Sequence, residues 1–147
     1  MDLNALYSAV VKDHSMSRHN KHELAGATVR VPGKNPSCGD EIELFLSVAD
    51  GKIVDGSFTG VGCAISEASV SIMLDLVRGK SISDANDLAD AFLAMIRGEA
   101  DSETLARLDE AAALQGIAAM PARVKCATMP WHTLKTALAE TNEASAH

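Results

Sequence analysis

Aromatic side chains are scarce: Tyr7, Phe45, Phe58, Phe92 and Trp131 are all that 147 residues supply. Any core must therefore be aliphatic, built from Ala, Val, Ile and Leu. Apolar residues reach 47%, enough for a packed interior, since a chain of this size hides roughly 70% of its unfolded surface. That composition argues against disorder throughout. Basic residues are also few, 13 against 20 acidic ones, for a net charge of −7. Nucleic acid needs a basic surface, so a general nucleic-acid binder is excluded. No apolar run approaches the roughly 20 residues that span a bilayer. The start, MDLNALYSAVVKDH, carries an acid before a short apolar stretch, which is not the pattern of a secretory signal. The expectation is a cytoplasmic protein without nucleic-acid or membrane partners. P-loop, dinucleotide and Ser-His-Asp patterns are missing, as are internal repeats. The length fits one domain, placed at residues 1–140, with a small polar tail at 141–147 that should fray.

Periodicity divides the rest. Leu3, Leu6, Tyr7 and Val10 recur at helical spacing, with Asp2 as a cap, and predict a helix over 3–13. A polar loop with His14, His19 and His22 follows. Ala27, Val29 and Val31 alternate with polar residues as a strand that Pro32-Gly33 should end. Ile42, Leu44, Leu46 and Val48 alternate with Glu41, Glu43, Phe45 and Ser47, a strand whose Glu-bearing face should meet water. Asp50-Gly51 is a hairpin signal, and Ile53–Phe58 is the returning strand. Beyond Gly60 the pattern is helical. Ile65, Ala68, Ile72 and Leu76 mark an apolar stripe, and Gly79 closes that helix. Ser83 should cap a helix to about Arg97. Another should run from Ser102 to Leu114, and a last one should begin near Cys126–Pro130 after a break at Pro121. The fold class is α+β: a three-stranded antiparallel meander packed against helices that mostly follow it.

Three cysteines are odd in number and far apart, with no C-x-x-C pair and no oxidising compartment implied, so a disulfide framework is a poor reading. Cys38 lies between the first two strands, Cys63 where the meander meets a helix, and Cys126 ahead of the last helix. Buried structural cysteines usually occupy apolar stripes, whereas junction cysteines are free to converge. A helix N-terminus favours a thiolate at Cys63, and Arg123 and Lys125 adjoin Cys126. Gly39 lets Cys38 and Asp40 face one ion. Three thiolates and a carboxylate suit a tetrahedral zinc. From the residues alone, a shared metal site and three inert or separately reactive thiols both stand.

The segments Pro36-Ser37-Cys38-Gly39-Asp40, Gly60-Val61-Gly62-Cys63-Ala64-Ile65-Ser66 and Arg123-Val124-Lys125-Cys126-Ala127-Thr128 resemble, in order, the three cysteine motifs of the IscU/SufU (NifU N-terminal-like) iron–sulfur scaffold family. The resemblance runs from about Tyr7 to Leu138. Where the IscU branch normally has a His before the third cysteine, this chain has Lys125. Residues 98–121 resemble the extra stretch of the SufU branch. Many members carry Asn-Pro-Arg-Asn after the first helix's Asp-His. This chain keeps Asp13-His14 and Asn20 but has Ser17-Arg18-His19 between, a departure that leaves the metal motifs untouched.

The resemblance to SufU implies a zinc-dependent sulfurtransferase that accepts persulfide sulfur from a PLP-dependent, SufS-like cysteine desulfurase. The sulfur then passes to downstream iron–sulfur assembly proteins. It implies that Cys38, Asp40, Cys63 and Cys126 hold Zn2+, that Cys38 is the sulfur acceptor, and that a desulfurase group replaces Cys38 on the metal. The Gly33, Pro36 and Gly39 loop suits Cys38 to be the mobile ligand. Arg123 and Lys125 are partner-facing by resemblance, or simply solvated charges. Asp40 is otherwise a turn residue. His14 is expected at the surface or as a cap, His132 is a conceivable metal neighbour, and His19, His22 and His147 are expected to be exposed. Met73, Met95 and Met120 read as core, and Glu103, Asp109 and Glu110 as a wet helix face. Two other readings use the same ligands: a scaffold that assembles an Fe–S cluster on them, and a non-catalytic module in which zinc only stabilises the fold.

Overall fold

The structure, a computed structural model, describes residues 3–145, with side chains from Ala9 to Thr141. The proposed Asp2 cap and the side chains of Leu3, Leu6 and Tyr7 lie outside the described residues, as does His147. The order is α1 (Leu3–Met16), β1 (Val29–Asn35), β2 (Asp40–Ala49), β3 (Lys52–Val61), α2 (Ala64–Val77), α3 (Ile82–Ile96), α4 (Ser102–Leu108), a 3-10 segment (Asp109–Ala119) and α5 (Pro121–Ser145). The sheet is an antiparallel meander in the order β1-β2-β3, so the expected α+β architecture is what the chain adopts. Among the described residues, no helix is long and apolar enough to cross a membrane.

Local chemistry explains each strand. Ala49 pairs with Lys52 across Asp50-Gly51, whose φ values of 54° and 76° are the paired positive angles of a tight hairpin turn. A register shift between Ser47 and Val48 marks a bulge. Pro32-Gly33 does not end β1, contrary to expectation. β1 is an edge strand, where a missing N–H is tolerated, and its pairing continues through Pro32↔Glu43 and Gly33↔Ile42 to Asn35↔Asp40. Alternation then buries Val29, Val31, Gly33 and Asn35 and exposes Arg30, Pro32 and Lys34. The Glu-bearing face is not wholly wet. Phe45 and Ser57 are buried there, and the Arg30 guanidinium, which also donates to Glu43, lies 4.9 Å from the Phe45 ring centroid.

The helices correct several further expectations. α2 packs on most sides, so Ala68, Val70, Ile72, Met73, Leu74 and Val77 are all buried, while Ile65 and Leu76 are half-buried. Gly79 follows its last turn at φ +87°. The cap of α3 is Ser81, not Ser83: its Oγ accepts the Asp84 N–H at 3.0 Å. The helix foreseen over 102–114 stops at Leu108, and Asp109 takes φ +52°. The chain continues as 3-10 turns, whose period of three matches the buried Leu108, Ala111, Leu114 and Ile117. α5 starts at Pro121, because the first turn of a helix needs no N–H there, and Pro130 lies inside it. Trp131 on α5 stacks on Phe92 of α3 at 4.2 Å and 7°. Its indole N–H donates to Ser69 of α2 at 3.0 Å, and the Ser69 hydroxyl donates to the Ala127 carbonyl at 2.6 Å. Met73 and Met95 are core, whereas Met120 is exposed.

The loop after α1 is pinned from within. Asn20 is 1% exposed, donates to the Ser71 carbonyl at 3.0 Å and accepts from Arg78 at 2.6 Å. His14 is buried rather than at the surface. Its ring bonds Ser71 Oγ at 2.9 Å on one side and the Glu110 carboxylate on the other, so Glu110 ties the 3-10 segment to α1. His19 and His22 are exposed. Burial pushes the Asp75 carboxyl up, but hydrogen bonds from Asn20, His19 and Arg78 outweigh it and hold the group below its ordinary 3.8.

Two outcomes follow from this packing. A methyl added at Gly33 would collide with Thr133 Oγ1 and, at 2.9 Å, with Met129 Sδ on α5. Gly33→Ala should therefore cost about 1–3 kcal/mol in chemical denaturation. The lowered Asp75 value contributes stability that is complete above 3.8 and lost as pH falls through the folded-state value. The stability gap between the parent protein and Asp75→Asn, measured by denaturation across acid pH, should close as pH drops below that range.

Candidate metal centre

Three chain segments end at one place. Asn35 closes β1, the turn at 36–39 carries Cys38, and Asp40 opens β2. The Cys38 N–H donates to the Asn35 carbonyl at 3.2 Å. Gly39 takes φ +71°, a left-handed angle that glycine adopts without strain, and this leaves Cys38 exposed and Asp40 buried. Cys63 caps α2 in an extended conformation, its sulfur accepting the Ser66 N–H at 3.5 Å. Its own N–H donates to Asp40 Oδ1 at 2.8 Å, and Ser66 Oγ donates to its carbonyl at 3.0 Å. Cys126 sits in the second turn of α5, not ahead of it, and is fully buried. The expectation that it occupies a junction is thus corrected. Pro130 has no N–H to offer the Cys126 carbonyl four residues back.

The ligand atoms of Cys38, Asp40 and Cys126 all lie within 4.8 Å of one another, and the Cys38 and Cys126 sulfurs are 3.0 Å apart. Cys63 stands outside that trio but reaches Cys126. Burial pushes the Cys126 thiol well up, and hydrogen bonds with the Cys38 and Cys63 thiols and the charges of Cys63 and Asp40 push it further. Its neighbours therefore oppose the thiolate form in the metal-free protein, despite the adjoining Arg123 and Lys125. Arg123 is exposed and faces the cluster. Its guanidinium is held more firmly protonated, first by a hydrogen bond to Cys126 and then by the charges of Cys63, Cys126 and Cys38. Lys125 and His132 instead line a neighbouring groove of about 540 Å³ with Lys34, Pro36 and Ser37, so His132 is not among the clustered donors.

Periodicity missed Asn35. It is 3% exposed, and its amide donates to Asp40 Oδ2 at 3.3 Å and to Cys126 Sγ at 3.5 Å. The signal was present in the alternation Val29, Val31, Gly33, Asn35, had the strand been carried past Pro32. Two thiols and one carboxylate in one cluster, with the Cys63 thiol beside Cys126, are ligand types that suit a divalent cation of zinc type, and thiolates equally serve Fe–S clusters.

The family model for the NifU-like N-terminal domain matches residues 6–143. The chain is 45% identical over 136 residues to the iron–sulfur cluster assembly scaffold protein IscU of Streptococcus pyogenes serotype M1, covering 92% of this chain and 84% of that one. It is 39% identical over 140 residues to the zinc-dependent sulfurtransferase SufU of Bacillus subtilis (strain 168), covering 95% and 93%. A crystal structure described as an iron–sulfur cluster assembly scaffold protein for the SUF system, from Fervidobacterium islandicum AW-1, superposes with a TM-score of 0.82 at 34% identity, covering 92% and 98%. The match takes in all three cysteine motifs and the sheet and helices that carry them, and the chain belongs to the NifU-like N-terminal domain family of IscU/SufU iron–sulfur cluster assembly proteins.

Proposed function

We propose that the protein is a zinc-dependent sulfurtransferase that takes persulfide sulfur from a cysteine desulfurase and passes it on for iron–sulfur cluster assembly. The observation that carries this reading is a contrast within one cluster: Cys38 is exposed on a turn, while Asp40 and Cys126, within 4.8 Å of it, are buried. One thiol can meet a partner, and the others are fixed. Cys38, Asp40, Cys63 and Cys126 would hold the metal. Bound zinc keeps thiol ligands deprotonated without redox cycling.

The transfer itself is an exchange at sulfur. The Cys38 thiolate attacks the outer sulfur of the partner's Cys–S–SH, a new S–S bond forms on Cys38, and the partner's S–S bond breaks. The leaving partner thiolate takes up the proton that Cys38 gave up, so there is no net oxidation. Arg123 places a positive charge beside the thiol cluster, which offsets the negative charge that passes from the Cys38 thiolate to the leaving partner thiolate. Zinc rather than a cluster is supported by Lys125 in place of a His before the third cysteine. It is also supported by residues 98–121, which carry α4 and the 3-10 segment, and by the likeness to the zinc-dependent sulfurtransferase of Bacillus. A scaffold role on the same ligands is favoured by the likeness to the scaffold protein of Streptococcus.

Protein purified without oxygen should be colourless with about one zinc per chain. A visible iron–sulfur chromophore with iron and sulfide would favour the scaffold reading. Zinc-loaded protein should accelerate desulfurase turnover. Cys38→Ala should reduce that acceleration to background while still competing with the parent protein for the desulfurase, and retained transfer would refute the assignment.

The pH dependence has a defined sign. The Cys126 thiol is raised above its ordinary 9.0, so metal uptake must expel its proton, and apparent zinc affinity should rise about tenfold per pH unit for each proton released. Chelator competition at several pH values reads this directly; a flat profile would contradict it. In the metal-free protein the same raised value contributes stability below 9.0 that is lost as pH rises above it.

A further inference from the structure

Asn35 contacts the Cys38 turn, Asp40 and Cys126. Its backbone carbonyl accepts the Cys38 N–H at 3.2 Å and so sets the turn that presents Cys38. Its side-chain Nδ2 carries two hydrogens. One is directed to Asp40 Oδ2 at 3.3 Å and the other to Cys126 Sγ at 3.5 Å. The second oxygen of Asp40 is held by the Cys63 N–H at 2.8 Å. The Asp40 carboxylate is therefore oriented from both sides, by Asn35 and by the backbone of Cys63. Cys126 is oriented by a donor from another element. Asn35 itself is 3% exposed, so an amide whose partners were lost would remain desolvated and unpaired.

These contacts divide the four residues unequally. The Asn35 side chain bonds Asp40 and Cys126 but not the Cys38 sulfur, and Cys63 is fixed by its place as the cap of α2. We propose that Asn35 is a positioning residue that keeps Asp40 and Cys126 in place beside the Cys63 cap of α2, while Cys38 is free to swing out and react. The proposal rests on the sulfurtransferase reading for its purpose, though the geometry it describes exists without a partner. Asn35 lies on the buried phase of β1 only because pairing runs on through Pro32 and Gly33. The edge strand thus delivers a donor to the cluster, and the turn delivers the reactive thiol.

The test uses Asn35→Ala, which removes both donors, and Asn35→Leu, which removes the donors but keeps side-chain volume without adding a charge. Outer hydrogen-bond partners of metal ligands are typically worth 10–100-fold in affinity. Both variants should bind zinc about 10–100-fold more weakly in chelator competition, and in metal-free protein Cys126, without the N–H donor that favours its thiolate, should be alkylated more slowly than in the parent. The loss of zinc affinity should exceed what any fall in the melting temperature of the metal-free variants accounts for. Parent-like affinity and parent-like alkylation in both variants would overturn the proposal. So would a loss of affinity that merely follows a loss of metal-free stability, the result expected of a space-filling role. If the parent protein bound no zinc, the functional reading would fail. The alkylation comparison would then still decide the role of Asn35, slower reaction of Cys126 supporting it and an unchanged or faster rate overturning it.

Discussion

The register of β1 on β2 is the constraint on which the site depends. It ends with Asn35 opposite Asp40, both on buried phases of their strands. Because side chains alternate across a strand, a slip of one residue would turn the whole set to the other face. A slip of β1 would carry Val29 and Val31 out of the core along with Asn35. Hydrophobic burial along the strands therefore fixes the position of two polar residues at their end. The apolar pairs Val31↔Leu44 and Val29↔Leu46 do thermodynamic work that is felt at the cysteine cluster.

The second half of the site comes from α5 and needs its own anchor. Trp131, the largest fully buried side chain, lies five residues after Cys126, and its stacking on Phe92 and hydrogen bond to Ser69 lock the rotation and height of that helix. Gly33 lets β1 approach α5 closely enough for Asn35 to reach the Cys126 sulfur. Cys63 needs no such support, because the start of α2 sets it directly. Three different devices, a strand end, a helix interior and a helix cap, thus present groups to one small volume. The exposed Cys38 is the member held mainly by a turn, which agrees with a division between fixed donors and one mobile thiol.

Much of this was legible in the residues. Asp50-Gly51 announced the hairpin, alternation announced β2, and Cys38, Cys63 and Cys126 stood out because nothing in the composition called for disulfides. Other features were hidden for physical reasons. Pro32-Gly33 reads as a strand terminator, but whether a proline ends a strand depends on its being at an edge, which is a tertiary fact. The 3-10 segment follows a strict spacing of three at Leu108, Ala111, Leu114 and Ile117, which differs from a helical stripe only slightly over a short stretch. Pro121 and Pro130 masked the full length of α5, and with it the burial of Cys126. His14 looked like a loop residue because its partners, Ser71 and Glu110, are far away in the chain. Asn35 carried no motif signal of its own, since its importance lies in two long-range hydrogen bonds.

The central claim is that a single divalent metal gathers donors from all three cysteine segments. X-ray absorption at the zinc edge of the metal-loaded protein measures this most directly. The account predicts three sulfur neighbours at about 2.3 Å and one oxygen at about 2.0–2.2 Å. A first shell with fewer than three sulfurs, or one completed by imidazole, would contradict it.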